Sequence, residues 1–350
     1  MSRNELTVKV LQVLHGDALR IRFLGEDQKY HNILIDGGFT KTYKATLRWE
    51  VQQILDADKK IDLFVITHTD QDHISGVLAF IREFGELDLV NQYWFNHSNL
   101  NVIVRNSSEK ISIGEGIVLR DYLANRGKLI DSEITTDTPD ITISNALLTV
   151  LSPTKSDLKD YQQLWRDDES KYDTSLGKIA SAKADYDLPV EQLAQNVFRE
   201  DIKLENGVSI SFLLKISTKS ILFLADSHPT TVVRSLNQLG YSAESRLKID
   251  YVKLSHHASK SNTSGELLSL LDCDSFIISA NGKNRYHFPH KETFARILLH
   301  PDRDRSQHIR FIFNYDNEVL RSIFTDCELT AYNFSCLYPD KGTNGYTITL

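Results

Sequence analysis

The feature that most constrains this chain is an uninterrupted apolar run that ends in histidine and aspartate. The segment IDLFVITH (61–68) is typical of a strand buried on both faces, and TDQDH follows it directly. A single histidine in such a place is more often solvated or hydrogen-bonded than a metal ligand. Here His68, Asp70, Asp72 and His73 fall within six residues, so two negative charges stand beside two imidazoles, and the carboxylates repel one another unless a cation neutralises them. We therefore predict a divalent-metal site at this strand end.

The segments on either side predict an α/β (α+β) chain made of two similar halves. Alternating apolar and polar residues indicate strands, and apolar residues at helical spacing indicate helices. Two facing sheets with helices outside would account for this order. The predicted strands are 6–14, 18–24, 31–38, 61–68, 92–98, 207–216, 220–227, 248–257 and 275–281, and the predicted helices are 41–57, 75–84, 229–239 and 264–271.

Two regions interrupt or follow this pattern. Residues 99–205 hold a predicted helix near 114–126, a strand at 146–153 and a charged, tyrosine-rich run at 154–200, which favours a solvated helical insertion over a binding surface. Residues 305–350 contain strand-like segments. Their alternating aromatics Tyr332, Phe334 and Tyr338 favour a half-buried strand over a base-stacking platform. We expect a small appended sheet or an oligomer contact there.

Composition limits the class of protein. The 350 residues are 41% hydrophobic and 25% charged, which is typical of a globular chain, and one domain with insertions is favoured. The net charge of -7 gives no general basic face for nucleic acid. Cys273, Cys327 and Cys336 lack CxxC spacing, so a reducing compartment is expected. No apolar window reaches about 18 residues, so a cytoplasmic protein without a membrane span is expected.

The segment HTDQDH resembles the HxHxDH signature of the metallo-β-lactamase superfamily, with Asp70 in place of the second histidine. The HxDxDH variant is similar to the metallohydrolase domain of ComEC-like competence proteins. Further segments resemble that family over residues 6–98 and 206–298. They are HGD with Asp17, LIDGG with Asp36, NGVS with Asn206 and Ser209, LADS with Asp226, HHAS with His256 and His257, and NRYHFPH with Asn284, His287 and His290.

The resemblance implies a four-layer αββα sandwich of the metallo-β-lactamase type, standing alone without a membrane channel. We assign residues 1–304 to this domain, with the insertion at about 99–205, and residues 305–350 to a β-rich C-terminal extension. Ala225 and Ala258 stand where the family has glycine, and we expect only slightly tighter turns from these changes. Phe288 stands where a histidine usually precedes proline, while His290 matches a residue that the family often carries.

The resemblance also implies a centre of two divalent ions, Zn²⁺ or Mn²⁺. His68, Asp70 and Asp226 would hold one ion, and Asp72, His73 and either His256 or His257 would hold the other, with Asp226 able to bridge. The histidine of the third motif is absent near Asn206–Ser209. The predicted catalytic residues are Asp72, His257 and His290.

Phosphate contacts are predicted for Asn284, Arg285 and Lys260. Arg285 is favoured because guanidinium binds phosphate in a bidentate manner, whereas ordinary solvation is the simpler reading of Lys260 and Lys253.

Three functions are compatible with these residues. The leading one is a phosphodiesterase or nuclease, since two ions activate water and neutralise phosphoryl oxygens. The second keeps the fold and metals but hydrolyses a small phosphoester, lactone or amide. The third is a non-catalytic binding subunit, which is disfavoured because the ligand residues are retained. A nucleic acid or other phosphodiester is the expected substrate, and a protein partner or homo-oligomer is left open.

Overall fold

The computed structural model describes residues 6–97, 108–130, 132–167 and 184–350. The strands are β1 Thr7–Leu11, β2 Leu19–Leu24, β3 Tyr30–Ile35, β4 Ile61–Ile66, β5 Val90–Phe95, β6 Ile141–Ile143, β7 Ala146–Ser152, β8 Ser211–Ile216, β9 Lys219–Phe223, β10 Leu247–Lys248, β11 Tyr251–Lys253, β12 Leu271–Asp272, β13 Ser275–Ile278, β14 Ile309–Phe313, β15 Phe334–Leu337 and β16 Gly345–Thr349. The helices are α1 Leu47–Asp56, α2 Gln71–Phe84, α3 Ser108–Asn125, α4 Lys155–Asp167, α5 Val190–Ala194, α6 Leu204–Gly207, α7 Pro229–Gln238, α8 Gly265–Ser269, α9 Lys291–Leu298, α10 Glu318–Arg321 and α11 Asp326–Ala331. Two 3₁₀ turns lie at Thr40–Ala45 and Ser255–Ala258.

Two large sheets form the centre of the protein. The first has the strand order β16-β1-β2-β3-β4-β5, and the second has the order β15-β14-β13-β11-β9-β8-β7-β6. In the first sheet β3, β4 and β5 run parallel, and in the second β9, β11, β13, β14 and β15 run parallel. Strands β10 and β12 form a separate parallel pair.

Three separate apolar clusters show how the layers stack. One lies between the sheets and contains Ile21, Trp94, Phe212 and Ile277. A second packs α1, α2 and α3 against the outer face of the first sheet, and a third packs α5, α7, α8 and α9 against the second sheet. Because each sheet buries both faces, the central parallel strands are apolar throughout. The predicted four-layer αββα sandwich is therefore confirmed.

The strands of residues 305–350 lie within the two main sheets instead of forming an appended sheet. Strand β15 pairs with β14 in the second sheet, and β16 pairs with β1 in the first. Strands β6 and β7, from the predicted insertion, also belong to the second sheet. The division of the chain at residue 304 stays a prediction.

Two elements beside candidate site residues begin at positions that differ from the sequence prediction. Helix α2 starts at Gln71, not at Ser75, so Asp72 and His73 lie in its first turn. Carboxylates are favoured there because the first peptide N–H groups of a helix carry partial positive charge. Strand β8 starts at Ser211, not at residue 207, because Leu204–Gly207 forms a short helical turn.

Parts of two predicted segments, residue 98 of the strand 92–98 and residues 168–183 of the charged run, lie outside the described residues. Across the described ranges, every helix is either too short or too polar to span a bilayer.

Candidate metal centre

The predicted metal ligands lie where strands of both sheets end. His68 and Asp70 follow β4, and Asp72 and His73 open α2 directly afterwards. From the second sheet, Asp226 follows β9, while His256 and His257 follow its parallel neighbour β11. Carboxyl ends of parallel strands share one sheet edge, which is where ligand sites form in α/β proteins. The two halves of the chain therefore meet at this edge.

One carboxylate oxygen, Asp226 Oδ2, is the common neighbour of four imidazoles. It lies 3.8 Å from His68 Nε2, 3.5 Å from His73 Nε2, 3.7 Å from His256 Nε2 and 3.7 Å from His257 Nε2. Two ligand atoms that share a tetrahedral ion, each about 2.1 Å from it, lie about 3.4 Å apart. These separations therefore fit ligands arranged around a cation.

Among the described residues four groups of three side chains could each hold an ion, and the two that consist of predicted ligands only share His73. The ligand atoms of His68, His73 and Asp226 all lie within 4.8 Å of one another, and so do those of Asp72, His73 and His257. Asp72 Oδ2 is 3.4 Å from His257 Nε2, and Asp70 Oδ2 is 3.9 Å from His68 Nε2. His73, which the sequence assigned to the second ion, belongs to both groups. The structure thus brings all seven predicted ligands together.

Several of these atoms are buried without a hydrogen-bond partner. Among the described residues they include Nε2 of His68, His73 and His257, and Oδ1 of Asp226. A buried polar atom left without a partner costs about 1–3 kcal/mol, so such a concentration calls for a ligand. Imidazole nitrogens mixed with carboxylate oxygens suit Zn²⁺ or Mn²⁺. The residues present therefore fit a divalent-metal centre.

The opposite nitrogen of each histidine is held by a neighbouring oxygen. Nδ1 of His73 lies 2.8 Å from Asp36 Oδ2, and Nδ1 of His256 lies 3.2 Å from Asp201 Oδ2. The remaining pairs are His68 Nδ1 to Thr67 Oγ1 at 3.1 Å and His257 Nδ1 to the Ser279 carbonyl at 3.1 Å. Such partners fix ring orientation in metal sites. They turn all four Nε2 atoms toward Asp226.

Backbone geometry explains how two adjacent histidines reach one carboxylate. Successive side chains of a strand point to opposite faces. Here His256, His257 and Ala258 have φ angles of 46°, 55° and 63°. Each left-handed residue costs roughly 1–2 kcal/mol, and only glycine escapes that cost. Ala258, and Ala225 with φ of 46°, thus stand at strained positions, where the sequence predicted only slightly tighter turns.

The pKa values of two carboxyls and two imidazoles in the cluster are shifted in opposite directions. Burial opposes ionisation of Asp226 and Asp72, but the adjacent imidazoles outweigh it and lower the pKa of both carboxyls. Burial likewise opposes charging of His257, yet Asp226 and Asp17 raise its pKa to about 9. Asp226 and Asp36 raise the pKa of His73 in the same way. The carboxylates are therefore ionised, and positive charge is stabilised between them and the imidazoles.

The side of the cluster around His68 behaves differently. Burial and the neighbouring His73 lower the pKa of His68 to about 4, so its imidazole is neutral at pH 7. Burial and Asp72 raise the pKa of Asp70 to about 6. A neutral imidazole is the form that binds a metal, so His68 needs to lose no proton at neutral pH.

The predicted catalytic residue His290 lies beside the cluster and not within it. Its Nδ1 accepts a hydrogen bond from the Lys260 backbone N–H at 3.2 Å, and its ring lies 5.3 Å from the Phe288 ring. Phe288 in turn contacts His256, with ring centroids 4.9 Å apart. Burial lowers the pKa of His290 to about 4.

The predicted substrate residues have different surroundings. The side chain of Asn284 is engaged within its own loop, since it accepts from the N–H groups of Tyr286 and Phe288 and donates to the Phe288 carbonyl. Lys260 is exposed and lies 3.9 Å from Glu292. Arg285 is exposed, with its guanidinium 4.6 Å from the centre of the Tyr286 ring. Asn284 therefore shapes the loop that presents Arg285.

Lys253 is not the solvated lysine that the sequence indicated. It is 1% exposed and forms an ion pair with Asp17, whose other carboxylate oxygen lies 3.5 Å from His257 Nδ1. Its position inside the apolar run YVKL was the available signal. Burying a charge is costly unless it is paired, so this ion pair is a fixed support behind His257.

Sequence reasoning missed two further residues beside the cluster. His15 Nε2 lies 3.9 Å from Asp72 Oδ2, and burial lowers the pKa of His15 to about 4. Asp201, from the end of the predicted insertion, contacts His256 and also accepts from Asn206 Nδ2 at 2.6 Å. The HGD turn contained the signal for His15. Nothing in the local sequence around Asp201 indicates its contact with His256.

Comparison with known proteins found a family match over part of the chain. Residues 26–142, about a third of the chain, match the family model of the metallo-beta-lactamase superfamily. The αββα architecture agrees with this match, and both agree with the resemblance that the motifs predicted.

Individual relatives are more distant. Over 75 residues the chain is 35% identical to ComE operon protein 3 of Bacillus subtilis, an alignment covering 21% of this chain and 10% of that protein. The chain therefore spans about a tenth of that relative. Among solved structures, the metallo-beta-lactamase fold protein YhfI of Bacillus subtilis is 11% identical, with 99% of each chain covered and a TM-score of 0.44. Zn²⁺-bound PqqB of Methylobacterium extorquens is 9% identical, with 95% and 87% covered and a TM-score of 0.41.

Proposed function

We propose that this protein is a metal-dependent phosphodiesterase or nuclease. The observation that carries the proposal is the convergence of four imidazole Nε2 atoms on Asp226 Oδ2, with Asp72 Oδ2 3.4 Å from His257 Nε2. Divalent ions held there would lower the pKa of a water molecule and neutralise charge on phosphoryl oxygens. No serine or cysteine nucleophile is then required for hydrolysis.

Different residues of this chain are proposed to hold each ion. His68, Asp70 and Asp226 are proposed to hold one ion, and Asp72, His73 and His257 the other. His256 reaches Asp226 from the side of Asp201, so it is proposed to complete the first group, where the histidine of the third motif is missing. Asp17, Asp36, Asp201 and Thr67 would keep the imidazole rings in place.

A phosphodiester is the favoured substrate for an electrostatic reason. The chain carries a net charge of -7, yet exposed cations stand at this site. Arg285 lies over Tyr286, and the ammonium of Lys203 lies close enough to Asp70 to affect its pKa. A local cationic site would attract a phosphate that the protein as a whole repels. The resemblance to the ComEC-like domain implies a DNA substrate and points the same way.

The test is hydrolysis by protein reconstituted with Mn²⁺ or Zn²⁺. Single-stranded DNA, duplex DNA, RNA and a chromogenic phosphodiester would be assayed beside small phosphoester, lactone and amide substrates. We expect phosphodiester cleavage that a chelator abolishes and that Asp72→Ala reduces by about 100-fold or more. The exposed residue Asp56 on α1 provides the matched control, and Asp56→Ala should keep full activity.

Metal analysis separates the remaining alternatives. Hydrolysis of a lactone or an amide, but of no phosphodiester, would be compatible with the metal centre and would refute the phosphodiester assignment. Fewer than about one ion bound per chain, together with no effect of Asp72→Ala, would refute a hydrolase and favour a binding subunit.

A further inference from the structure

A group of aromatic rings lines one side of the metal centre. His15 comes from the turn after β1, Phe39 from the loop after β3, and Tyr286 and Phe288 from the loop before α9. Ring centroids of His15 and Phe39 lie 5.0 Å apart, those of His15 and Tyr286 6.3 Å, and those of Tyr286 and Phe288 5.4 Å. We call these four side chains the aromatic rim.

The aromatic rim directly contacts candidate ligands. Phe288 is buried, with its ring centroid 4.9 Å from that of His256 and 5.9 Å from that of His257. His15 Nε2 lies 3.9 Å from Asp72 Oδ2. Phe39 and Tyr286 are only partly buried. The rim therefore runs from the metal ligands outward to solvent.

Exposed cations accompany the outer rings. The guanidinium of Arg285 lies 4.6 Å from the Tyr286 ring centroid, and Lys41 Nζ lies 5.3 Å from that of Phe39. Lys203 interacts electrostatically with both Asp70 and Tyr286. Flat rings interleaved with cations are the surface on which unpaired nucleotides bind, because bases stack on the rings while phosphates meet the charges.

Tyr286 is held in position before any ligand arrives. The Asn284 carboxamide accepts from the Tyr286 and Phe288 N–H groups at 3.1 Å each, and Tyr186 donates to the Pro289 carbonyl at 3.0 Å. A loop fixed from both sides loses little entropy when a ligand binds, so its contacts contribute more of their energy to affinity.

We propose that the site selects single-stranded nucleic acid by stacking an unpaired base on Tyr286 and Arg285, with the neighbouring phosphates held by Lys41 and Lys203. This inference rests on the proposed phosphodiesterase function and adds the substrate class. A duplex covers its base faces by internal stacking, so it cannot use this surface without unpairing. A phosphodiester without a base would reach the metal centre but would gain nothing from the aromatic rim.

The experiment compares two fluorescent single-stranded oligonucleotides of equal length and charge, one of thymidylate and one made only of abasic residues. Binding is measured by anisotropy in Ca²⁺, and cleavage is measured in Mn²⁺. We expect the wild type to bind the thymidylate strand about tenfold or more tightly than the abasic strand. Tyr286→Ala should remove that difference, mainly through KM, whereas Tyr286→Phe should keep it.

A matched control exists far along the first sheet. Arg22 lies 3.5 Å over the Tyr30 ring, which repeats the arginine–tyrosine pair away from the centre, and Tyr30→Ala should leave the preference unchanged. Equal binding of the two strands by the wild type, tighter binding of the annealed duplex, or equal losses on both strands in Tyr286→Ala would each overturn the inference. If the abasic strand is cleaved, the phosphodiesterase assignment survives that outcome. If metal-loaded protein cleaves neither strand, both proposals fail.

Discussion

At the scale of single residues, the oxygen atoms that contact Nδ1 of each histidine are as important for the candidate site as the histidines themselves. Asp36 is fully buried and accepts hydrogen bonds from the Thr67 N–H at 2.8 Å and the Thr67 hydroxyl at 2.7 Å, while lying 2.8 Å from His73 Nδ1. Because His73 belongs to both ligand groups, its orientation affects both.

We therefore predict that Asp36→Asn weakens metal binding by about 10- to 100-fold without unfolding the protein. An amide keeps the size of the carboxylate but cannot stabilise the same tautomer and charge of His73. Competition with a fluorescent chelator would measure the dissociation constants. The control is Asp62→Asn, since Asp62 lies 3.1 Å from His31 in a similar pair elsewhere. Equal affinities in Asp36→Asn and the wild type would contradict the prediction.

The sequence predicted the candidate ligands better than it predicted the residues that hold those ligands in place. His68, Asp70, Asp72 and His73 are adjacent in the chain, so a local pattern identifies them. Contacts such as Lys253 with Asp17 join residues 236 positions apart, and only the folded chain brings them together. Local periodicity cannot supply such pairs.

At the scale of elements, the approach of helix α2 to the turn after β3 positions half of the site. The Gly37 N–H donates to the His73 carbonyl at 2.8 Å, and the Gly76 N–H donates to the Gly38 carbonyl at 2.7 Å. A Cβ at Gly76 would lie 1.9 Å from the Gly37 carbonyl oxygen, so only glycine permits this approach. Asp36 is thereby held beside His73.

Gly76→Ala should destabilise the protein by about 1–3 kcal/mol, as overpacking does, although alanine in an ordinary helix interior is favoured over glycine. The melting temperature and the metal affinity should fall together, because the displaced helix carries Asp72 and His73. Gly265→Ala in α8 is the control, since its Cβ would meet only His300 at 3.8 Å. An unchanged or raised melting temperature in Gly76→Ala would refute this account.

The type of each of these elements could be predicted from the sequence, but the residues at which it begins and ends could not. Apolar periodicity placed strand β4 and the body of helix α2 correctly. The first turn of α2 is polar, so apolar periodicity missed it. The structure shows that it is helical, since the Ile74 N–H donates to the Asp70 carbonyl at 3.0 Å.

At the scale of the whole molecule, the candidate metal centre lies where the two sheets meet. His68 and His73 belong to the first sheet and its helix, while Asp226 and His257 belong to the second. The motif order predicted this meeting of two halves. It did not predict that β16 would close the first sheet against β1, since that pairing joins opposite ends of the described chain.

Stability without metal should depend on pH above neutrality. The pKa of His257 is raised from 6.5 to about 9 by Asp226 and Asp17 against the effect of burial. A group whose pKa is raised on folding stabilises fully below its unfolded value, and this contribution is lost as pH rises through the folded value. His73 acts in the same direction. Chelator-treated protein should therefore melt at progressively lower temperature between about pH 6.5 and 9.

Added Mn²⁺ or Zn²⁺ should reverse this trend, because ions bind the deprotonated imidazoles and stabilise the folded state. The rise in melting temperature on adding metal should thus be larger at pH 9 than at pH 6.5, as scanning fluorimetry would show. His257→Gln should flatten the pH dependence, and His308→Gln should not. A melting temperature that stays constant across this range in the chelated wild type would show that His257 is not charged in the folded protein.

The three left-handed residues His256–Ala258 have one more consequence. Neighbouring imidazoles that share a single bend cannot be adjusted separately, so any shift of that bend moves both. The orientation of each ring must therefore be set by residues outside the bend. Asp201 contacts the His256 ring, and Asp17 and the Ser279 carbonyl contact the His257 ring.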